Sequence, residues 1–144
     1  MKAGLLQTLS VVRGLLISAA AVLSVTASAN EDIPHDWKLV SRQAGYIFFE
    51  KAEPKAEFSY YRYKLSNPNQ STRSVAMEFM KNVRGRNLRP VPKVKGWEYS
   101  YVGNLPCATV VTKEEDYAVL INVCGSADTA EISRLIKISK TQFN

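Results

Sequence analysis

The chain contains a single histidine, His35, and this scarcity excludes several classes of enzyme. His35 follows Pro34 in a polar stretch that we predict to be a disordered lead-in, so no positioned base is available for a Ser-His-Asp triad. The seven glycines form no phosphate-binding loop, and the two cysteines lie far from the histidine, so no metal-ligand spacing is present. We therefore predict no metal site, no cofactor and no enzymatic activity.

Long apolar runs are also scarce, and the clearest one lies near the N-terminus. The uncharged run at residues 15–25 follows a basic start and precedes Ala27-Ser28-Ala29. This pattern is typical of a secretory signal peptide, whereas a membrane anchor needs about 20 apolar residues. We predict that residues 1–29 are cleaved off and that residues 30–144 form a single domain without a membrane span. The mature protein is then periplasmic or secreted.

The two cysteines are predicted to close a β-hairpin. Two β-rich runs, residues 108–112 and 117–123, flank a charged segment at 113–116. If residues 115 and 116 form the tip, paired residue numbers sum to 231, and so do 107 and 124. Cys107 and Cys124 then face each other on a non-hydrogen-bonded pair, with Cα atoms about 4.5 Å apart, and can form a disulfide. A four-residue loop would keep this register but make the cysteines a hydrogen-bonded pair.

The alternation along this hairpin assigns its two faces. The face that we predict to be the core carries three residues of the first strand and three of the second: Ala108, Val110, Thr112, Val119, Ile121 and Val123. The other face carries the disulfide and the pair of Thr109 and Asn122.

The remaining patterns predict three strands, a helix, three more strands and a second helix. The early strands are expected near residues 37–41, 46–50 and 57–65, with Tyr61, Tyr63 and Leu65 on the core side of the third. The first helix is expected to start at a cap provided by Ser71 or Asn69 and to end before Gly85. The second is expected to start at Asp128, with Glu131 completing a capping box. These elements indicate an α+β fold, a mainly antiparallel sheet of about six strands with both helices on one face.

The order of these elements resembles that of small exported domains of the PsbP and DcrB type. The shared features are an N-terminal strand with a tryptophan, a helix after the first strands, a strand beginning Gly96-Trp97, a hairpin and a C-terminal helix. The resemblance covers most of the mature chain in element order and includes no specific motif. It implies an accessory or binding role rather than catalysis.

A basic cluster is the candidate binding surface. It runs from the end of the first helix through residues 86–96, a segment with two prolines and a glycine that we predict to be a loop or a ragged sheet edge. A run of this kind is often only a solvated face. In an exported protein it can also face lipid phosphates, lipopolysaccharide or an acidic protein, whereas the compartment argues against nucleic acid. The proposed contact residues are Arg84, Arg86, Arg89, Lys93 and Lys95.

The leading hypothesis is therefore a small, exported, non-enzymatic binding or accessory protein of the cell envelope. A second hypothesis is an inhibitor or immunity-type protein that blocks an enzyme through the charged loop Lys113–Asp116. A third is a small hydrolase that uses two of the carboxylates Glu50, Glu57 and Glu98. Aromatic side chains on the strands supply either the core or a binding groove. The sequence leaves the ligand and the oligomeric state open.

Overall fold

Seven strands pair into one antiparallel sheet in the computed structural model, which describes residues 32–143. The predicted signal peptide and its cleavage site lie outside the described residues. The strands are β1 (Trp37–Gln43), β2 (Tyr46–Lys51), β3 (Ala56–Lys64), β4 (Arg86–Val91), β5 (Gly96–Val102), β6 (Pro106–Glu114) and β7 (Tyr117–Gly125). The helices are α1 (Thr72–Asn82) and α2 (Thr129–Phe143), and a 3₁₀ turn spans Pro92–Val94.

The sheet is built from two meanders that meet in its middle. Its strand order is β1-β2-β3-β7-β6-β5-β4, so β1 to β3 form one meander and β4 to β7 the other. The antiparallel pairing of β3 with β7 joins them. The predicted α+β class and antiparallel sheet are confirmed, but there are seven strands rather than about six. The additional strand is β4, which forms an edge of the sheet where the sequence predicted a loop or a ragged edge.

The two helices lie on opposite faces of the sheet, and the prediction that they share one face is wrong. Neighbouring residues of β7 show this directly, because successive side chains of a strand point to opposite faces. Val119 packs with Leu135 and Ile138 of α2. Ala118 and Leu120 pack in a second cluster with the buried residues of α1. The physical reason is that the central strands are apolar on both faces, so each face needs its own cover.

This arrangement also revises which strand faces are buried. On β3, Phe58 and Tyr60 are almost fully buried under α2, whereas Tyr63 of the predicted core side is 39% exposed. On the β6–β7 hairpin both faces contribute to a core. Val111 and Thr109, on the face with the disulfide, are more deeply buried than Val110 on the face predicted to be the core. On β6, the face predicted to be the core is only half-buried, because no residue of β6 belongs to the hydrophobic core under α2.

Helix α1 begins and ends at identifiable caps. The Ser71 side chain accepts a hydrogen bond from the backbone N–H of Ser74 at 3.1 Å, so Ser71 is the cap of the two that the sequence offered. At the other end the left-handed residue is Arg84, with φ 55°, and Gly85 follows it. The backbone N–H of Gly85 donates to the carbonyl of Met80 at 2.8 Å. A Cβ on Gly85 would lie 2.8 Å from the Met80 side chain and 3.1 Å from the Ser100 carbonyl, so glycine is needed for close packing against β5.

Helix α2 begins at a cap that differs in part from the prediction. Asp128 accepts a hydrogen bond from the backbone N–H of Ala130 at 2.7 Å. The Glu131 carboxylate bonds across the fold instead of closing a capping box. It accepts from the Trp37 indole and forms an ion pair with Lys51 at 3.3 Å. The side chain thus links α2 to the first two strands.

Neither of the two helices described here has the length and apolarity that a membrane crossing requires.

Candidate functional site

The five predicted contact residues lie on one continuous element, which we call the basic hairpin (residues 84–102). It comprises the last turn after α1, the edge strand β4, the 3₁₀ turn and β5. It contains five cationic residues and one acidic residue, Glu98, which gives it a formal charge of +4. All five cations are exposed: Arg84, Arg86, Arg89, Lys93 and Lys95.

A β-bulge sets the direction of the two arginines on β4. Arg86 pairs with Ser100 and Arg89 with Glu98, so two residues of β4 lie opposite one residue of β5. The extra residue is accommodated at Asn87, whose φ is 60°. Because Ser100 and Glu98 are two residues apart on β5, Arg86 and Arg89 project from the same face of the sheet. Without the bulge, a spacing of three residues would have placed them on opposite faces.

The one acidic residue of the basic hairpin is neutralised within it. The Arg89 guanidinium donates a hydrogen bond to the Glu98 carboxylate at 2.9 Å, and the two side chains are 70% and 26% exposed. Within residues 32–143, Arg89 is the one member of the five with a carboxylate at ion-pair distance. The charge available to an external anion therefore comes from Arg84, Arg86, Lys93 and Lys95.

The turn of the basic hairpin brings an apolar side chain between two lysines. Lys93 and Val94 lie in the 3₁₀ turn, and Lys95 ends it in a left-handed conformation with φ 51°. Val94 is 52% exposed, and Val102 at the far end of β5 is 82% exposed. These are two of the three exposed large hydrophobic side chains among the described residues, and Tyr63 is the third. Sequence reasoning missed both valines, although the Lys-Val-Lys pattern was visible.

Two cations of the basic hairpin occupy backbone positions that favour glycine. Arg84 and Lys95 both have positive φ, with values of 55° and 51°. A left-handed conformation costs a residue with a Cβ about 1–2 kcal/mol, and residues held there are concentrated at functional sites. Two of the five cations therefore occupy positions where glycine would relieve strain.

The charged loop between β6 and β7 was the alternative site, and it is tied down. The predicted register is confirmed, since Glu114 pairs with Tyr117 and Cys107 with Cys124. The Lys113 ammonium donates to the carbonyl oxygens of Pro68 and Gln70, at 2.5 and 2.7 Å. The Asp116 carbonyl accepts from the backbone N–H of Leu65 at 2.8 Å. The base of the loop is thereby held against the connection between β3 and α1, while Glu114, Glu115 and Asp116 remain exposed.

Of the three carboxylates in the hydrolase hypothesis, two are cross-strand neighbours and the third lies on the opposite face of the sheet. Glu50 and Glu57 face each other on β2 and β3. Glu57 shares its sheet face with Cys124, whereas Glu98 shares the opposite face with Val110. Among residues 32–143, no group of three or more His, Cys, Asp or Glu side chains is arranged to hold a metal.

A polar network surrounds the disulfide on the face that α1 partly covers. The disulfide has an S–S length of 2.04 Å and a Cα–Cα distance of 4.0 Å, which confirms the predicted bond between Cys107 and Cys124. The side-chain oxygen Oδ1 of Asn122 accepts hydrogen bonds from the hydroxyls of Thr109 at 2.9 Å and Tyr101 at 3.0 Å. Burial raises the pKa of Tyr99, whose hydroxyl bonds to Thr109. The network satisfies buried polar groups in the manner of a structural core.

Comparisons with known proteins leave the chain without a family. No family model matches it, and no curated protein matches it. A crystal structure of a protein from Bacteroides thetaiotaomicron is similar, with 13% sequence identity and a TM-score of 0.43. The match covers 70% of this chain and 40% of that chain, so this chain spans less than half the length of that protein.

Proposed function

We propose that the protein is a small, exported, non-enzymatic binding protein of the cell envelope, and that the basic hairpin binds an anionic partner. The observation that carries the proposal is the arrangement of the charge. Four exposed cations on one hairpin have no carboxylate partner among residues 32–143, and the one acid of the hairpin is paired with the fifth cation. A disulfide within the fold and the predicted signal peptide support export. The PsbP/DcrB-like element order also favours an accessory role.

Exposed arginine and lysine side chains suit this role for different reasons. The guanidinium group can grip a phosphate or carboxylate with two parallel hydrogen bonds, whereas the lysine ammonium acts as a mobile point charge. Because all five groups are exposed, their attraction to an anion is screened over about 8 Å at physiological ionic strength. Binding should therefore weaken steeply as salt is added.

The experiment that tests the proposal compares two double variants with inorganic polyphosphate as the probe. Arg84→Gln with Arg86→Gln removes two unpaired cations and should weaken binding at low salt about 10-fold or more, at about 1 kcal/mol for each charge. The matched control is Arg89→Gln with Glu98→Gln, which removes one charge of each sign and should change binding little. Both variants should retain the parent's melting temperature. If the first variant binds polyphosphate as tightly as the parent does, the basic hairpin is only a solvated face.

A further inference from the structure

We infer that the anionic partner of the basic hairpin is a lipid bilayer surface, with Val94 and Val102 entering the interface beside the cations. This inference rests on the proposed function and names the partner of the same surface. It is carried by the coincidence of exposed apolar side chains with unpaired cations on one element.

Two valines of the basic hairpin are unusually exposed for large apolar side chains. Val94 is 52% and Val102 82% exposed, although most large apolar side chains of the domain are buried or half-buried. Scattered exposed hydrophobic residues need no explanation. Here the two valines lie on the one hairpin that also carries five exposed cations. A soluble anion would use the charges and leave both valines in water.

The turn has the composition that an interfacial contact requires. Val94 lies between Lys93 and Lys95, and long lysine stems can extend from an apolar contact toward phosphate groups. Pro92 precedes them and removes a backbone N–H that a bilayer would otherwise have to desolvate.

The sheet face next to the turn also carries apolar and cationic side chains together. Val102 lies two residues beyond Ser100 on β5, so it shares a sheet face with Arg86 and Arg89. Val110 of β6 is half-buried on that face, next to Glu98. Since Arg89 neutralises Glu98, no uncompensated acid on β4 or β5 repels an anionic headgroup.

An acidic partner protein is the competing occupant, and the valines distinguish the two. Ion pairs with an acidic protein depend on the cations, and such a partner has no fixed need for apolar contacts at both ends of β5. A bilayer offers phosphates and an apolar boundary together, and its affinity for a protein rises with both the buried apolar area and the nearby positive charge.

The test uses protein purified from the envelope fraction, with its intact mass recorded so that a chain retaining residues 1–29 is not scored. Binding is measured by co-sedimentation with two kinds of vesicle, pure phosphatidylcholine and phosphatidylcholine mixed with phosphatidylglycerol. Binding to soluble polyphosphate is measured in parallel. Three variants are compared: Val94→Ser with Val102→Ser, Lys93→Gln with Lys95→Gln, and, as a control for charge, Lys55→Gln with Lys64→Gln, two exposed lysines outside the basic hairpin.

The inference predicts a separate pattern for each variant. The valine variant should bind the mixed vesicles about 10-fold more weakly and bind polyphosphate as the parent does. The turn-lysine variant should lose about 25-fold on the mixed vesicles, at about fivefold per charge, and should also bind polyphosphate more weakly. The control variant should lose no more than about twofold, and phosphatidylcholine alone should bind weakly in every case.

Different results would contradict the bilayer inference and the proposed function. If the valine variant keeps full vesicle affinity while the cation variants lose affinity for polyphosphate, the bilayer inference is wrong, and an acidic protein or a soluble anion remains. If no cation variant loses affinity for either probe, the proposed function itself is wrong. Melting temperatures equal to that of the parent establish that the exposed substitutions have not unfolded the chain.

Discussion

Replacing Arg84 by glycine should make the protein more stable and a weaker binder at the same time. Arg84 follows α1 with φ 55°, a left-handed conformation that costs a side chain with a Cβ about 1–2 kcal/mol. Glycine avoids this cost but adds about 0.5–1 kcal/mol of backbone entropy to the unfolded chain. The net gain should be about 1 kcal/mol. The two backbone bonds of this cap, from Arg84 N–H to the Lys81 carbonyl and from Gly85 N–H to the Met80 carbonyl, do not involve the substituted side chain.

The gain in the free energy of unfolding is measured by urea denaturation, with circular dichroism as the probe of folding. The Arg84→Gly variant should show a higher midpoint at an unchanged slope, and its melting temperature should rise by about 3–5 °C. Arg84→Gln is the matched control, since it loses the same charge and keeps the Cβ in the left-handed conformation. Both variants should lose the same affinity for polyphosphate, and Arg84→Lys should keep most of it. The reasoning is refuted if Arg84→Gly is no more stable than Arg84→Gln.

Three further predictions concern the core of the fold. Replacing Cys107 and Cys124 by alanine should lower the free energy of unfolding by about 3 kcal/mol without abolishing the fold, as measured by urea denaturation. Burial raises the pKa of Tyr99 above its ordinary value near 10, so the folded state binds its proton more tightly than the unfolded state. The raised pKa contributes stability that is fully present below about pH 10 and is lost as the pH rises beyond that value. Above pH 10, the melting temperature of Tyr99→Phe should therefore fall less than that of the parent. Glu131→Gln should keep an acceptor for the Trp37 indole but remove the ion pair to Lys51, and lower stability by about 1–2 kcal/mol.

The parts of the fold that depend on local rules were predictable from the sequence. The register of the β6–β7 hairpin follows from counting residues between two β-rich runs, and the disulfide follows from that register. The cap at Ser71 likewise requires only its own neighbourhood. Each of these features joins residues close in sequence, so tertiary packing had little opportunity to override them.

The features that failed depend on contacts between distant segments. The sequence of an apolar strand does not indicate which helix covers each of its faces. The placement of Val119 and Leu120 in two different cores was therefore not predicted. The β1 strand has an irregularity between Leu39 and Ser41, so Ser41 does not share a face with Leu39 as plain alternation predicts. Glu131 fits a capping box by spacing, but a tryptophan and a lysine of distant strands provide stronger partners.

The same distinction applies to the candidate site. The five cations were identified from their density along the chain, and the structure finds all of them exposed on one element. The pairing of Arg89 with Glu98 and the common direction of Arg86 and Arg89 follow from a bulge, which sequence periodicity does not reveal. The exposure of Val102 likewise depends on which elements pack on β5, and the alternation along that strand does not reveal it.

Protection of a sheet edge is the simplest other reason for charge on β4. Edge strands avoid pairing with other chains by means of bulges, prolines and charged side chains. The β4 strand has all three, with a bulge after Arg86, Pro90 within it, and Arg89. Arg84, Lys93 and Lys95, however, lie outside the strand and protect no edge, and two of them hold a strained backbone that glycine would relieve. Edge protection can therefore account for the two arginines of β4 but not for the other three cations, and Arg84, Lys93 and Lys95 are the residues on which the proposed binding of an anion depends most.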